Sequence, residues 1–270
     1  VYYAEKYNYT IVMDSENEFL KHGSANSFNR KQLGDKNYFE TIFKNCIKEP
    51  ITRTFTTLHR DFEHNMHQPT DNETLLIKGY NQNIDNFFEV KDCIIDYLHI
   101  DNIRQEQLAK KYNLKPENTN VMIGLRLDVD GGFKFSNLTF SSYHAVMDTI
   151  VKTNNNVRFF VFSDIDPSDY LINNDFNLTV VNESDIDQLY IGLQCSHFIL
   201  SESTFHYWIA LLANSQNVYV FDHTELILRN GLVGFNNRNL IKGLGWKIIE
   251  QIEDNFDFYL NRDYSGSDVI

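Results

Sequence analysis

Apolar positions along the chain fall into short continuous runs that alternate with stretches of helical spacing. Tyr9 to Met13 (YTIVM) is β-branched and apolar, ends at Asp14, and reads as a buried strand. A helix is expected over about Asp35 to Ile47, and a short strand over Glu73 to Gly79. Phe88, Cys93, Ile94, Tyr97 and Leu98 follow helical spacing within Phe87 to Leu98, and Gln105 to Tyr112 extends that helical region. The polar, Pro116-containing segment from Asn113 to Asn120 has no periodicity and is the best candidate for a domain boundary.

The second half is cleaner. Strands are predicted at Asn120 to Leu125, Val157 to Ser163, Leu178 to Val181, His197 to Ser201 and Asn217 to Phe221. Helices are predicted at Phe140 to Lys152, Asp185 to Cys195 and Ser203 to Ala213. Five strands with helices between them predict a parallel, doubly wound α/β sheet. Trp246, Ile249 and Ile252 suggest a terminal helical segment, Asn239 to Leu260. The start, with Val1, Tyr2, Ala4 and Tyr7 near helical spacing, reads as the inside of a helix, so a preceding strand and loop are expected to be missing from this chain.

Composition narrows the function. The chain has 270 residues and a formal net charge of −13, which argues against a general nucleic-acid binder and against adsorption to an anionic membrane. No run approaches the roughly 18 consecutive apolar residues of a membrane span. Three widely separated cysteines, Cys46, Cys93 and Cys195, suggest neither a disulfide framework nor a zinc site and read as buried thiols. Nothing resembles a secretory signal, so a cytoplasmic location is expected, in the host cytoplasm if the source is viral rather than microbial.

Ligands of open parallel sheets bind beyond the carboxyl ends of the strands, so the residues there are the first candidates. Ser201-Glu-Ser-Thr-Phe205 follows a strand and opens a helix, whose free N–H groups suit a phosphate; a plain N-cap is the alternative. Arg126 follows the strand NVMIGL and is placed to pair with a diphosphate, or else with Asp128 or Asp130. Asp128-Val-Asp130 also spells the D-x-D of metal-dependent sugar transferases, or a turn entry before Gly131-Gly132. Ser163, Asp164 and Asp166 follow the strand RFFVF and suit a ribose or a base edge, or a turn before Pro167. The nine histidines show no HExxH and no paired metal spacing. No glycine-rich GxGxxG or GxxxxGK[ST] is present, against a Rossmann dehydrogenase or a P-loop enzyme.

With these segments quoted in order, the chain resembles the family of α-1,2-fucosyltransferases. VYYAEKYNYTIVMD resembles the helix and second strand after that family's G-x-G-N-Q loop, which is itself missing here. IKGYNQNIDNFFEVKDCI resembles the family's GYFQS-x-KYF segment, with Gly79, Tyr80, Gln82 and Phe88 in place. IGLRLDVD stands at the H-x-R-R-x-D motif, and RFFVFSDID resembles FFxFSDD. LYIGLQCSHFILSESTFHYWIALLA matches most specifically, at Cys195, His197, Ser203, Thr204, Phe205 and Trp208. The departures are local. The motif's histidine falls on Gly124 and its second arginine on Leu127, its aspartate is displaced to Asp128 or Asp130, and an acidic position falls on Gln188 beside Asp187.

The resemblance implies a GT-B-like α/β architecture of two Rossmann-like, doubly wound domains facing a cleft. Residues 1–115 would form the N-terminal, acceptor-side domain, 119–238 the nucleotide-sugar-binding domain, and 239–270 a C-terminal helical segment. It implies an inverting, metal-independent glycosyltransferase that moves fucose or a related sugar from a GDP-sugar to a glycan hydroxyl. No cofactor is then expected, and the D-x-D is a coincidence. The expected catalytic residues are Arg126 and Asp128. Donor contacts are expected from Arg126, Ser163, Asp164, Asp187, Ser201, Ser203, Thr204 and Phe205, and acceptor contacts from Tyr80, Asn81 and Gln82. A catalytically inactive glycan- or nucleotide-binding relative, or a metal-dependent transferase using Asp128 and Asp130, is the alternative.

Overall fold

The computed structural model describes residues 10–14, 38, 41–49, 56–58, 75–77, 92–125, 140–163, 166–168, 175–201, 203–221 and 243–249. Four short strands come first: β1 (Val12–Asp14), β2 (Ile47–Glu49), β3 (Thr56–Leu58) and β4 (Leu75–Ile77). They form two separate two-stranded parallel sheets, β1 with β2 and β3 with β4. A 3-10 turn, Ile94–Tyr97, precedes α1 (Asn102–Tyr112). Then come β5 (Thr119–Leu125), α2 (Phe140–Thr153), β6 (Val157–Ser163), β7 (Leu178–Val180), α3 (Asp185–Gly192), β8 (His197–Leu200), α4 (Thr204–Leu212), β9 (Asn217–Phe221) and β10 (Lys247–Ile249).

Strands β5 to β10 make one parallel sheet in the order β10-β9-β8-β5-β6-β7. The four central strands, β9, β8, β5 and β6, are covered on both faces, which is why they read as largely apolar runs rather than as alternating patterns. The period of two still sorts the side chains. Met122, Phe160, Phe162, Phe198, Leu200, Val218 and Val220 face one layer, packed with Leu108 of α1, Ile186 and Leu189 of α3, and Tyr207 and Ile209 of α4. Val121, Ile123, Leu125, Phe159, Val161, Ile199 and Phe221 face the other, against Tyr143, Val146, Met147 and Ile150 of α2. The doubly wound α/β expectation is met.

Helix α1 is cut by its sequence at both ends. Asp101 caps it by accepting from Arg104 N–H at 3.0 Å. Asn113 ends it in the left-handed region at φ 51°, and Leu114 N–H reaches back to the Ala109 carbonyl. Arg158 of β6 then donates to the carbonyls of Tyr112 and Asn113. The helix expected near the end of the first half thus packs on the sheet of the second.

Three sequence expectations need correction. Residues 247–249 are a sixth strand on β9, not part of a helix, since a three-residue edge strand has too little length to show a period. Ile47 begins β2 after a series of turns instead of ending a helix. The described part of Phe87 to Leu98 holds only the single 3-10 turn. Residues 239–242 and 250–270 of the terminal segment lie outside the described residues.

Candidate functional site at the switch point of the sheet

The chain runs from β5 out to β6 and β7, then returns to β8 on the opposite side of β5 and continues to β9 and β10. The winding direction therefore reverses between β5 and β8. In open parallel sheets, the crevice beyond the carboxyl ends at such a reversal is where ligands bind.

Ser163 closes β6 and Ser201 follows β8, so the two serines flank the end of β5. Both are buried, at 8% and 2% exposure, and neither hydroxyl oxygen has a hydrogen-bond partner among the described residues. A buried hydroxyl is costly to leave unmatched, roughly 1–3 kcal/mol, so two at this end of the sheet mark a candidate place for polar contact with a ligand. Just beyond, Ser203 occupies the N-cap of α4 without a side-chain cap bond, and its N–H donates to the Ser201 carbonyl at 2.8 Å. The first turn of α4 carries no acidic side chain. Its N–H groups and the positive end of its dipole are suited to an anion. Phe205 is half-buried and packs on the core below.

Gly124, where the motif's histidine falls, pins the end of β5. Its carbonyl accepts from Tyr143 Oη of α2 at 3.1 Å and from Ser201 N–H at 3.2 Å. A Cβ at this position would stand 2.7 Å from Cγ and 3.0 Å from Cε1 of His206, with Nδ1 closer still. Only glycine leaves room for that imidazole. Neither His206 nor Tyr143 was among the residues expected from sequence. The one signal available was a glycine inside an apolar strand, which marks a close approach.

Asp187 lies in the first turn of α3, the helix that follows β7. Arg104 of α1 grips it with a fork, Nε to Oδ1 at 3.0 Å and Nη2 to Oδ2 at 2.7 Å. The Asp187 hydrogen bond, opposed by partial burial, raises the already high Arg104 pKa. Lys111 and Tyr112 of α1 likewise bind the buried Glu183, and burial and that carboxylate push the Tyr112 phenol well up. Tyr38 Oη donates to Asp185, adding the first half of the chain to the same polar seam. Asp166 forms a turn with Ser168, whose hydroxyl and N–H hold its carboxyl below the ordinary range, so the turn alternative describes this residue.

Thus the structure brings together Ser163, Ser201, Ser203 and the backbone of Thr204, and directs Asp187 to Arg104. Arg126, Asp128, Asp164, Tyr80, Asn81, Gln82 and the Thr204 side chain lie outside the described residues. Among the described residues no group of three or more His, Cys, Asp or Glu side chains is arranged for a metal. No helix among them is long and apolar enough to cross a membrane.

A doubly wound sheet with buried polar groups at its switch point is the architecture of a nucleotide-binding α/β enzyme. Comparison with protein families makes the class specific. The family model of glycosyl transferase family 11 matches residues 29–227, and the chain belongs to that family, the α-1,2-fucosyltransferases. It is a glycosyltransferase, which takes a sugar-nucleotide donor and a glycan acceptor. No curated protein matches the chain.

Proposed function

We propose that this glycosyltransferase moves fucose from GDP-fucose to a glycan hydroxyl, with inversion at the anomeric carbon and without a metal. The observation that carries the reading is the pair of buried hydroxyls of Ser163 and Ser201, without a partner among the described residues, on either side of the end of β5 and next to the N-terminus of α4. In this reading the helix N-terminus, with Ser201, Ser203, Thr204 and Phe205, receives the diphosphate. Arg126, directly after β5, neutralises the charge that grows on departing GDP. Ser163 and Asp164 take the ribose or guanine edge. Asp128 draws the proton from the acceptor hydroxyl, which attacks from the face opposite GDP. Tyr80, Asn81 and Gln82 belong to the acceptor side, on an N-terminal domain across a cleft. The expected compartment is the cytoplasm.

The test is titration calorimetry with GDP, followed by GDP release from GDP-fucose in the presence of excess chelator. The wild-type protein binds GDP and turns over with chelator present. Arg126→Ala melts as wild type, binds GDP more weakly and loses on the order of 10²–10³ in kcat. Arg126→Lys rescues only in part, because it lacks the planar fork. Near wild-type transfer by Arg126→Ala would remove that residue from the donor site. Activity that needs a divalent cation would favour the D-x-D reading.

A further inference from the structure

Gly124 and His206 form a contact that packing alone does not require. The imidazole occupies the volume that the side chain of any other residue at 124 would fill. His206 is buried in the first turn of α4, with the Phe205 ring 5.9 Å away. A leucine or phenylalanine of similar volume would fill the space as well, so volume alone does not select an imidazole here. The residue it rests on is also the junction of the site. The Gly124 carbonyl ties β5 both to Tyr143 of α2 and to the backbone of Ser201. Tyr207 N–H, next along α4, bonds the Ser203 carbonyl at the N-cap. Whatever sets the distance between Gly124 and α4 therefore sets the distance between the end of β5 and the first turn of α4.

We propose that His206 is a positioning residue for the nucleotide-sugar donor, an inference that rests on the function proposed above. Its ring, seated on the bare Cα of Gly124, fixes the spacing at which the end of β5 and the N-terminus of α4 grip the diphosphate from two sides. It acts through Gly124 and the α4 turn and does not touch the reacting atoms.

Four variants test this: Gly124→Ala, His206→Ala, His206→Gln, and the double variant Gly124→Ala/His206→Ala. Each is read by melting temperature, GDP Kd from calorimetry, and kcat with separate KM values for GDP-fucose and acceptor. Both alanine single variants raise GDP Kd and donor KM roughly ten- to a hundredfold and leave acceptor KM unchanged. In the double variant the new methyl group at 124 enters the space left by the ring, so the melting temperature recovers while GDP binding stays weak. His206→Gln, which keeps a polar side chain of similar reach, restores part of the binding. The inference is overturned if His206→Ala binds GDP as tightly as wild type, or if GDP affinity in the double variant recovers together with melting, since the ring is then only a filler. A wild-type protein that binds no GDP overturns the donor reading itself, and this inference with it.

Discussion

Replacing Arg104 by alanine tests how the helix layer is fastened to the sheet. The two members of the Arg104–Asp187 pair are unequal: the carboxylate side chain is 3% exposed and the arginine 38%. Removing one partner of a fully buried pair costs about 3–5 kcal/mol, because the charge left behind is stranded. Here the arginine side is open to solvent and water can enter where it stood, which brings the cost down to about 2–3 kcal/mol. For a chain of this size that corresponds to a fall of roughly 4–12 °C in melting temperature. Asp187→Asn strands the partner that water already reaches, so it costs only about 1 kcal/mol. Arg104→Lys falls between, keeping the charge but losing the two-pronged grip. Helix α1 stays docked in all three variants, because Leu108 is fully buried against the sheet and contributes roughly 1.5–3 kcal/mol of its own. Thermal melts at pH 7 with parallel GDP titrations give the answer. An Arg104→Ala protein that melts within about 1 °C of wild type, or above Asp187→Asn, refutes the argument. Loss of GDP binding in Asp187→Asn without any change in melting would show that Asp187 serves the donor as well as the helix contact.

Three further outcomes follow from local geometry. Burial, and secondarily Lys247, lower the pKa of His197 from its ordinary 6.5, so below that pH the unfolded chain binds the proton first. Its contribution to stability is complete above pH 6.5 and is lost as pH falls, so the wild-type melting temperature drops more steeply from pH 7.5 to 5.5 than that of His197→Asn; parallel curves would refute this. Gly192→Ala gains about 1 kcal/mol of helix propensity, but its Cβ collides with Ile209 Cγ2 and crowds Met122 Sδ at 3.3 Å. The overpacking costs about 1–3 kcal/mol, so the variant should melt lower, and a rise in melting temperature would show that α3 and α4 can part freely. Burial drives the Cys195 thiol far up, while Cys46 and Cys93 are only half-buried. Alkylation of the native protein mapped by mass spectrometry should therefore find Cys195 on the order of tenfold or more behind the other two, and equal labelling would contradict its burial.

What the sequence disclosed follows the range of the forces involved. Strands β5, β6, β8 and β9 were legible because burial on both faces leaves apolar runs such as the FFVF of β6 and the VYVF of β9. Ser163 and Ser201 were legible for the complementary reason: a small polar residue at the point where such a run stops must lie at the sheet edge. Strand β10 was not, because Trp246 and Ile249, with Ile252 further on, are spaced as a helix would space them and three residues paired to β9 leave no contrary trace. The acidic Asp187 was recognised, but its partner Arg104 lies 83 residues away, and nothing local in either segment announces the fork between them. A buried carboxylate found from sequence is thus ambiguous until its cation is known, since the same residue serves a ligand or a helix contact. His206 shows the converse. In an apolar helix it reads as core, and Gly124 reads as a weakness in a strand. Only the two together, brought face to face by the return of the chain from β7 to β8, show that each residue accounts for the other. The switch point that makes the crevice is also the place where residues distant in sequence first meet, so the site is where reading along the chain stops being sufficient.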